Sequence, residues 1–380
     1  MIRVSPSSDS TTRRTLTGAA RVLAALKMDG PLLIGLALVA GYGLIVLYSA
    51  SGQSWAMVLR AVVRLLMGAV AMLALAQVRP QQLRAAALPL WIIGVVLLIV
   101  VDVMGHIGKG AQRWLDLGFV RFQPSELMKL AVPLLCAWYL HERPLPPSVP
   151  ALGVLAAIIL VPAGLTAAQP DLGTAILITI AGGLVVIMAG LSVWFMAGAA
   201  ALAGVGAWVG WLYFLHDYQR QRVLTLIDPQ SDPLGAGYLI IQSQIAIGSG
   251  GLFGKGWMNG SQSQLEYLPE RHTDFIFAVI GEEFGLLGLA ILMMLYLFVV
   301  ARALYMASQM QDTFSRLLGA SLALTFFVYV FINTGMVSGL LPVVGVPLPL
   351  VSYGGTSMVT LLAGFGILMA LFSHRKLVGS

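Results

Sequence analysis

The chain has 380 residues, 58% of them hydrophobic and only 10% charged, with a formal net charge of +6 and a mean hydropathy of +0.89. Soluble domains carry roughly 25% charged residues, so this balance excludes an ordinary water-soluble enzyme and points to lipid as the main solvent. A helix crosses the hydrocarbon core with about 20 mostly apolar residues, because lipid offers its amides no partner and they must bond within the segment.

Residues 1–30 read as a cytoplasmic basic leader rather than a signal peptide. Arg13, Arg14, Arg21 and Lys27 stand apart from the first apolar run, and no small-residue cleavage site follows that run. Apolar spans then fall at roughly 31–50, 57–77, 86–103, 124–140, 151–168, 172–189, 191–215, 275–300, 317–339 and 351–372, about ten in all. Brief polar punctuation at Pro170 and Gly190 separates the fifth span from the sixth and the sixth from the seventh. The predicted fold is an all-α polytopic membrane protein, a single transmembrane unit over 31–380, with a long outward-facing loop at 216–274 between the seventh and eighth spans.

Short cytoplasmic loops retain Lys and Arg. Arg79, Arg84, Arg143, Arg302, Arg316, Arg375 and Lys376 fall on one side together with the basic leader, which places both termini in the cytoplasm. The lone cysteine, Cys136, lies in an apolar span, so no intramolecular disulfide forms and it reads as a small buried apolar residue.

Against that orientation, Lys109, Arg113, Arg121, Arg220, Arg222, Lys255 and Arg271 all map to the outward side. Singly, each could meet lipid phosphate or a nearby carboxylate; together they suggest a shared anionic ligand.

Between the third and fourth spans, Pro124 suits the first turn of a helix, and Glu126 follows it into the membrane with Lys129 on the same face three residues on. An intramembrane charge pair is expensive in hydrocarbon, so it should face a polar cavity, or else serve only to set helix register. At Gln169-Pro170-Asp171, Asp171 stands at a helix start, where capping and a cavity role are both open.

The loop at 216–274 is far longer than the usual connection, and loops of that length usually carry function. Its run Gly248-Ser-Gly-Gly-Leu-Phe-Gly-Lys255-Gly imitates a phosphate loop but fails the pattern: Ser249 stands where the first glycine is required, and Gly256 replaces the Ser or Thr that would ligate magnesium. The loop closes on Glu266, Glu270, His272 and Asp274, with Glu282 and Glu283 beyond in the next apolar run. Asp274 could cap the helix that begins there, or, with its neighbours, act as a general base or hold a divalent cation. Glu282 and Glu283 cannot both face lipid, so at least one is expected to line a cavity. The last outward loop, 341–357, is rich in Pro and Gly; such irregular backbone survives at membrane depth only when packed in protein or lining a cavity.

These segments, with Pro269-Glu-Arg-His-Thr-Asp-Phe-Ile-Phe277 and Pro347-Leu-Pro-Leu-Val-Ser-Tyr-Gly-Gly355, resemble the SEDS family of bacterial cell-wall polymerases over essentially all ten spans. Trp114-Leu-Asp-Leu-Gly118 and Val344-Gly-Val-Pro347 resemble the branch that serves cell elongation more than the branch that serves division. The resemblance implies a peptidoglycan glycosyltransferase that polymerises lipid II at the outer face of the bacterial cytoplasmic membrane. Asp274 would be its catalytic aspartate, and Glu126, Lys129 and Asp171 would lie in a central cavity. The leaving pyrophosphate needs positive charge, for which Arg113, Arg121, Lys129, Arg220 and Lys255 are candidates, with His272 a further substrate-binding candidate. A divalent cation, Mg or Mn, is a possible aid rather than a requirement. The implied partners are a class B penicillin-binding protein that cross-links the strands and other membrane proteins of the elongation complex, with no nucleic acid. Two readings of another class are a flippase for the lipid-linked sugar and a noncatalytic scaffold for wall synthesis.

Overall fold

The structure is a computed structural model that describes residues 23, 25–104, 106–108, 111–116, 121–214, 217–231, 235–265 and 267–374. The leader 1–22, Lys109, Glu266, Arg375 and Lys376 lie outside the described residues, as do the side chains of Arg113, Arg121 and Arg222.

Every predicted span corresponds to a helix. The first seven in chain order are α1 (Gly30–Ala50), α2 (Trp55–Ala76), α3 (Pro80–Met104), α4 (Pro124–Leu140), α5 (Val149–Ala168), α6 (Leu172–Met188) and α7 (Val193–Val209), the last extended by a π turn at Gly210–Phe214. Among the described residues, seven helices in the whole chain are long and apolar enough to cross a membrane by length and composition, and α6 is a shorter apolar one. Capping explains several starts. Asp29 caps α1 through the Leu32 amide, and Arg302 grips the same carboxylate with two nitrogens, at 3.0 and 2.6 Å.

The chain departs from a purely α expectation between α3 and α4. There His106–Gly108 (β1), Ala111–Asp116 (β2) and Arg121–Phe122 (β3) form a small antiparallel sheet in the order β1-β2-β3, with Leu115 opposite Phe122 and Asp116 opposite Arg121. A backbone that has left the helix must pair its amides elsewhere, and this sheet does so while presenting Trp114 to the cavity described below.

The long loop is largely helical: α8 (Asp217–Ile227), α9 (Ala236–Gly250) and the short α10 (Ser261–Gln264) precede α11 (Ile276–Ser308), α12 (Thr313–Val337) and α13 (Thr356–Ser373). α11 is broken at Gly285, whose φ of 63° and ψ of −162° are not helical. A break frees backbone groups that lipid cannot satisfy, and the segment after α9 satisfies them. The amides of Lys255 and Gly256 donate to the carbonyls of Glu282 and Glu283, both at 3.0 Å, while Leu286 and Leu287 donate to the carbonyls of Gly251 and Leu252 at 2.9 and 3.0 Å. The approach leaves no room for side chains. A Cβ on Gly285 would sit 2.4 Å from the Gly254 nitrogen, and one on Gly250 would overlap the Gly281 carbonyl. The glycine run that fails as a phosphate loop is therefore the plug of a broken helix.

Packing centres on α4, which is buried on nearly all sides by α3, α6 and α12. Its polar Ser125, Glu126 and Lys129 share that burial with Met128, Val132 and Leu135. α2 packs along α13, and α11 along α1, α9 and α12. α7 stands at the edge, with Trp194, Leu202 and Trp208 largely exposed, as befits a lipid-facing helix.

Candidate active site

Two irregular segments meet beside one another. The turn at 269–275 leads into α11, and the Pro- and Gly-rich segment after α12 leads into α13. Three contacts bind them together. The Ser352 hydroxyl donates to the Thr273 carbonyl while accepting from the Leu348 amide at 2.8 Å. The Tyr353 amide donates to the His272 carbonyl at 2.9 Å. The Asn333 side-chain amide, fully buried on α12, donates to the carbonyls of Asp274 and Val346 at 2.8 and 2.7 Å. Asp274 is thus placed by backbone clamps on both sides. The N-cap position of α11 belongs to Phe275, one residue after Asp274.

Below this junction lies a cavity of about 240 Å³ lined by Trp114 from β2, by Glu126 and Lys129 from α4, and by Asp171 and Thr174 at the start of α6. Glu270, Thr273 and Asp274 from the turn, Tyr329 from α12 and residues 345–347 and 353–357 complete its wall. The Lys129 ammonium donates to Glu126 at 2.7 Å and to the Tyr329 hydroxyl at 2.6 Å. Asp171 does cap α6, accepting from the Thr174 amide at 3.3 Å, and its other oxygen accepts from the Gln123 side chain at 2.9 Å, so capping and cavity lining coexist. The Thr273 hydroxyl donates to Glu270 at 2.7 Å. A Cβ at Gly345, where φ is +73°, would lie 3.5 Å from an Asp274 carboxylate oxygen, so glycine there keeps that face of the carboxylate open.

Among the described residues of this wall, Glu126, Asp171, Glu270 and Asp274 carry carboxylates and Lys129 carries the cation. No group of three His, Cys, Asp or Glu side chains among the described residues converges closely enough to hold a metal ion.

The structure thus gathers Asp274, Glu126, Lys129 and Asp171 around one space and disperses several other candidates. Lys255 is ion-paired with Glu282 at 2.8 Å and donates to Ser261 at 2.9 Å. Arg220 donates to the Leu212 carbonyl at 3.2 Å, and Arg271 to the Ala50 carbonyl at 2.8 Å. His272 lies edge-on to Tyr353 with ring centroids 6.2 Å apart. Arg113 precedes Trp114 in β2, and Arg121 lies in β3 opposite Asp116.

The expectation that Glu282 or Glu283 lines a cavity does not hold for the space around Asp274. Glu282 is fully buried against Lys255, Ser261 and the Gln262 amide, and Glu283 accepts from the Ser49 hydroxyl. Both stand at the helix break, where Lys255 of the plug and the start of α10 hold Glu282 and Ser49 of α1 holds Glu283.

Asn333 and Tyr329 were not singled out from sequence. Each is a polar side chain inside a long apolar helix, the signal that picked out Lys129.

The chain is similar to several known proteins. The family model for FtsW, RodA and SpoVE cell cycle proteins matches residues 31–377. The chain is 54% identical over 349 residues to the peptidoglycan glycosyltransferase MrdB of Escherichia coli, covering 91% of this chain and 94% of that protein. It is similar to a chain of a solved peptidoglycan synthase complex described as coordinating polymerization and crosslinking, at 34% identity and a TM-score of 0.80, over 92% of this chain and 98% of the other. It is likewise similar to the crystal structure of the rod shape determining protein RodA of Thermus thermophilus, at 30% identity and a TM-score of 0.70, over 91% and 97% of the two chains.

Proposed function

We infer that this chain, which belongs to the FtsW, RodA and SpoVE family of cell cycle proteins, polymerises lipid II into glycan strands with Asp274 as its base. It is a peptidoglycan glycosyltransferase of the rod-shape-determining kind and a multi-pass membrane protein. Both termini are cytoplasmic and the reaction takes place at the outer face of the cytoplasmic membrane.

The observation that carries the reading is the clamped turn, which points one carboxylate into a cavity that already holds a buried Glu126–Lys129 pair. Chain extension joins the 4-hydroxyl of an acceptor sugar to the anomeric carbon of a donor. Asp274 takes the hydroxyl proton as the oxygen attacks, the bond from the anomeric carbon to the leaving oxygen breaks, and its electron pair departs with the pyrophosphate. A single displacement of this kind inverts the anomeric centre. Positive charge must meet the departing pyrophosphate in a poorly hydrated site. Lys129 lies on the cavity wall and is the strongest candidate, ahead of Lys255 and Arg220, while Arg113 and Arg121 are candidates by their place in β2 and β3.

Membership of a polymerising pair follows from the same premise. The similar synthase chain works in a complex that also cross-links, and we assign this chain a class B penicillin-binding protein as its partner.

The test separates catalysis from transport. Purified Asp274→Asn protein and wild type are given lipid II, and glycan polymer and lipid translocation are assayed independently. Loss of polymer alone supports the reading. Polymerisation that survives removes Asp274 as the base, and loss of translocation alone favours a flippase.

A further inference from the structure

α2 carries two arginines, Arg60 and Arg64, one turn apart on one face and inside an apolar span. At the head of this helix Trp55 is 70% exposed and packs against Tyr48 with ring centroids 4.9 Å apart, an aromatic pair of the kind that marks a membrane interface. Arg60 then lies about 8 Å below that level at the helical rise of about 1.5 Å per residue.

Isolated arginines at such a depth normally snorkel to the interface. These two turn toward the protein instead. Arg60 Nε donates to the Tyr353 hydroxyl at 3.1 Å, and the Arg64 guanidinium lies over the Tyr353 ring at 4.2 Å from its centroid. No carboxylate pairs with either among the described residues. The terminal nitrogens of Arg60 and the in-plane edge of Arg64 therefore keep their donors available. Tyr353 is also part of the wall of the cavity around Asp274. The outward surface of α2 around the pair is apolar, with Leu59, Val63 and Leu66 exposed, so an anion reaching these donors must arrive attached to a lipid.

We propose that Arg60, Arg64 and Tyr353 form a docking site for the phosphate groups of a lipid, at the bilayer-facing margin of the cavity, and that its ligand is a polyprenyl pyrophosphate. The shared chemistry is a lipid-borne phosphate, which an anionic phospholipid headgroup also offers. Two planar guanidinium forks suit the two phosphoryl groups of a pyrophosphate better than the single phosphodiester of a phospholipid. The contact through Tyr353 also ties the site to the catalytic space. This inference rests on the cavity being the glycosyltransferase site.

Full-length protein in zwitterionic nanodiscs is titrated with undecaprenyl pyrophosphate and, separately, with phosphatidylglycerol, for wild type, Arg60→Gln/Arg64→Gln and Arg60→Lys/Arg64→Lys. The Gln pair is expected to weaken pyrophosphate binding by about tenfold or more, with the Lys pair intermediate, because charge-assisted bonds to both guanidinium groups are removed. Phosphatidylglycerol binding should change less than about twofold. Unchanged pyrophosphate binding overturns the site, and a parallel loss of both ligands makes it a general headgroup contact and overturns the assignment. If the double Gln variant does not fold, Arg60→Gln and Arg64→Gln singly are read by the same criteria. Asp274→Asn is assayed separately for polymerisation. Polymerisation by that variant would remove the catalytic reading without touching the arginine result.

Discussion

Asn333 and Asp274 are joined through backbone rather than side chain: one buried amide on α12 holds the Asp274 carbonyl at 2.8 Å and the Val346 carbonyl at 2.7 Å. The turn at 269–275 and the proline-rich segment are thereby fixed to the same helix. Small misplacements of a reacting group carry large rate penalties, of the order of 10²-fold for about 1 Å. Asn333→Leu should lower kcat for glycan polymerisation by about 10- to 100-fold while shifting KM little. Initial rates across a lipid II titration, beside thermal melting in detergent, check this. A variant that lost stability but kept kcat would reduce Asn333 to a structural residue.

The Glu126–Lys129 pair should show strong coupling. Its members are 5% exposed and 2.7 Å apart. Removing one partner strands a buried charge at a cost of about 3–5 kcal/mol, whereas replacing both leaves none. Lys129→Met and Glu126→Gln should each lower the melting temperature more than the double variant does. All three should lose most polymerisation, because each alters the cavity. A double-mutant cycle in detergent-solubilised protein reads the coupling directly.

At the broken helix, Gly285→Ala should be among the most destabilising surface-remote changes. Its φ of 63° with ψ of −162° is a region reserved for glycine, and the new Cβ would press on the Gly254 nitrogen. The expected loss is about 2 kcal/mol or more, seen as a lower melting temperature or as failure to accumulate in the membrane.

Asp312, in the loop between α11 and α12, gives a pH-dependent contribution to stability. Partial burial raises its carboxyl pKa, but the Ser315 hydroxyl, Arg84 and the Ser315 amide together outweigh this and hold it below the ordinary carboxylate range. A depressed folded-state pKa stabilises above the unfolded value, about 3.9, and that stabilisation is lost as pH falls through the folded value. Its side chain is 44% exposed and that of Arg84 29% exposed, so screening keeps the effect within about 0.5–1 kcal/mol. Asp312→Asn should melt lower than wild type at neutral pH and converge with it as the medium is acidified toward pH ~3.

The apolar spans and their order were legible because a helix in lipid needs a long uncharged run, a one-dimensional signal. The charges that broke those runs, Glu126 and Lys129, were legible for the same reason. Partnership across the chain was not. Nothing local tells that Lys255 reaches Glu282, 27 residues on, instead of an anionic ligand, or that residues 251–256 fill a break at Gly285. The sheet at 106–122 escaped because strands of two to six residues leave little alternation to read. Arg60 and Arg64 lie within a span that remains apolar on average, so a window of hydropathy passes over them.

The central claim is that Asp274 supplies the base for glycan extension, and the initial rate of polymer formation from lipid II by purified full-length protein, wild type against Asp274→Asn, tests it most directly. General-base catalysis contributes about 10²- to 10⁴-fold, so the variant should fall by at least about 10²-fold while its melting temperature stays at the wild-type value. A folded Asp274→Asn protein that polymerises within about threefold of the wild-type rate would contradict it.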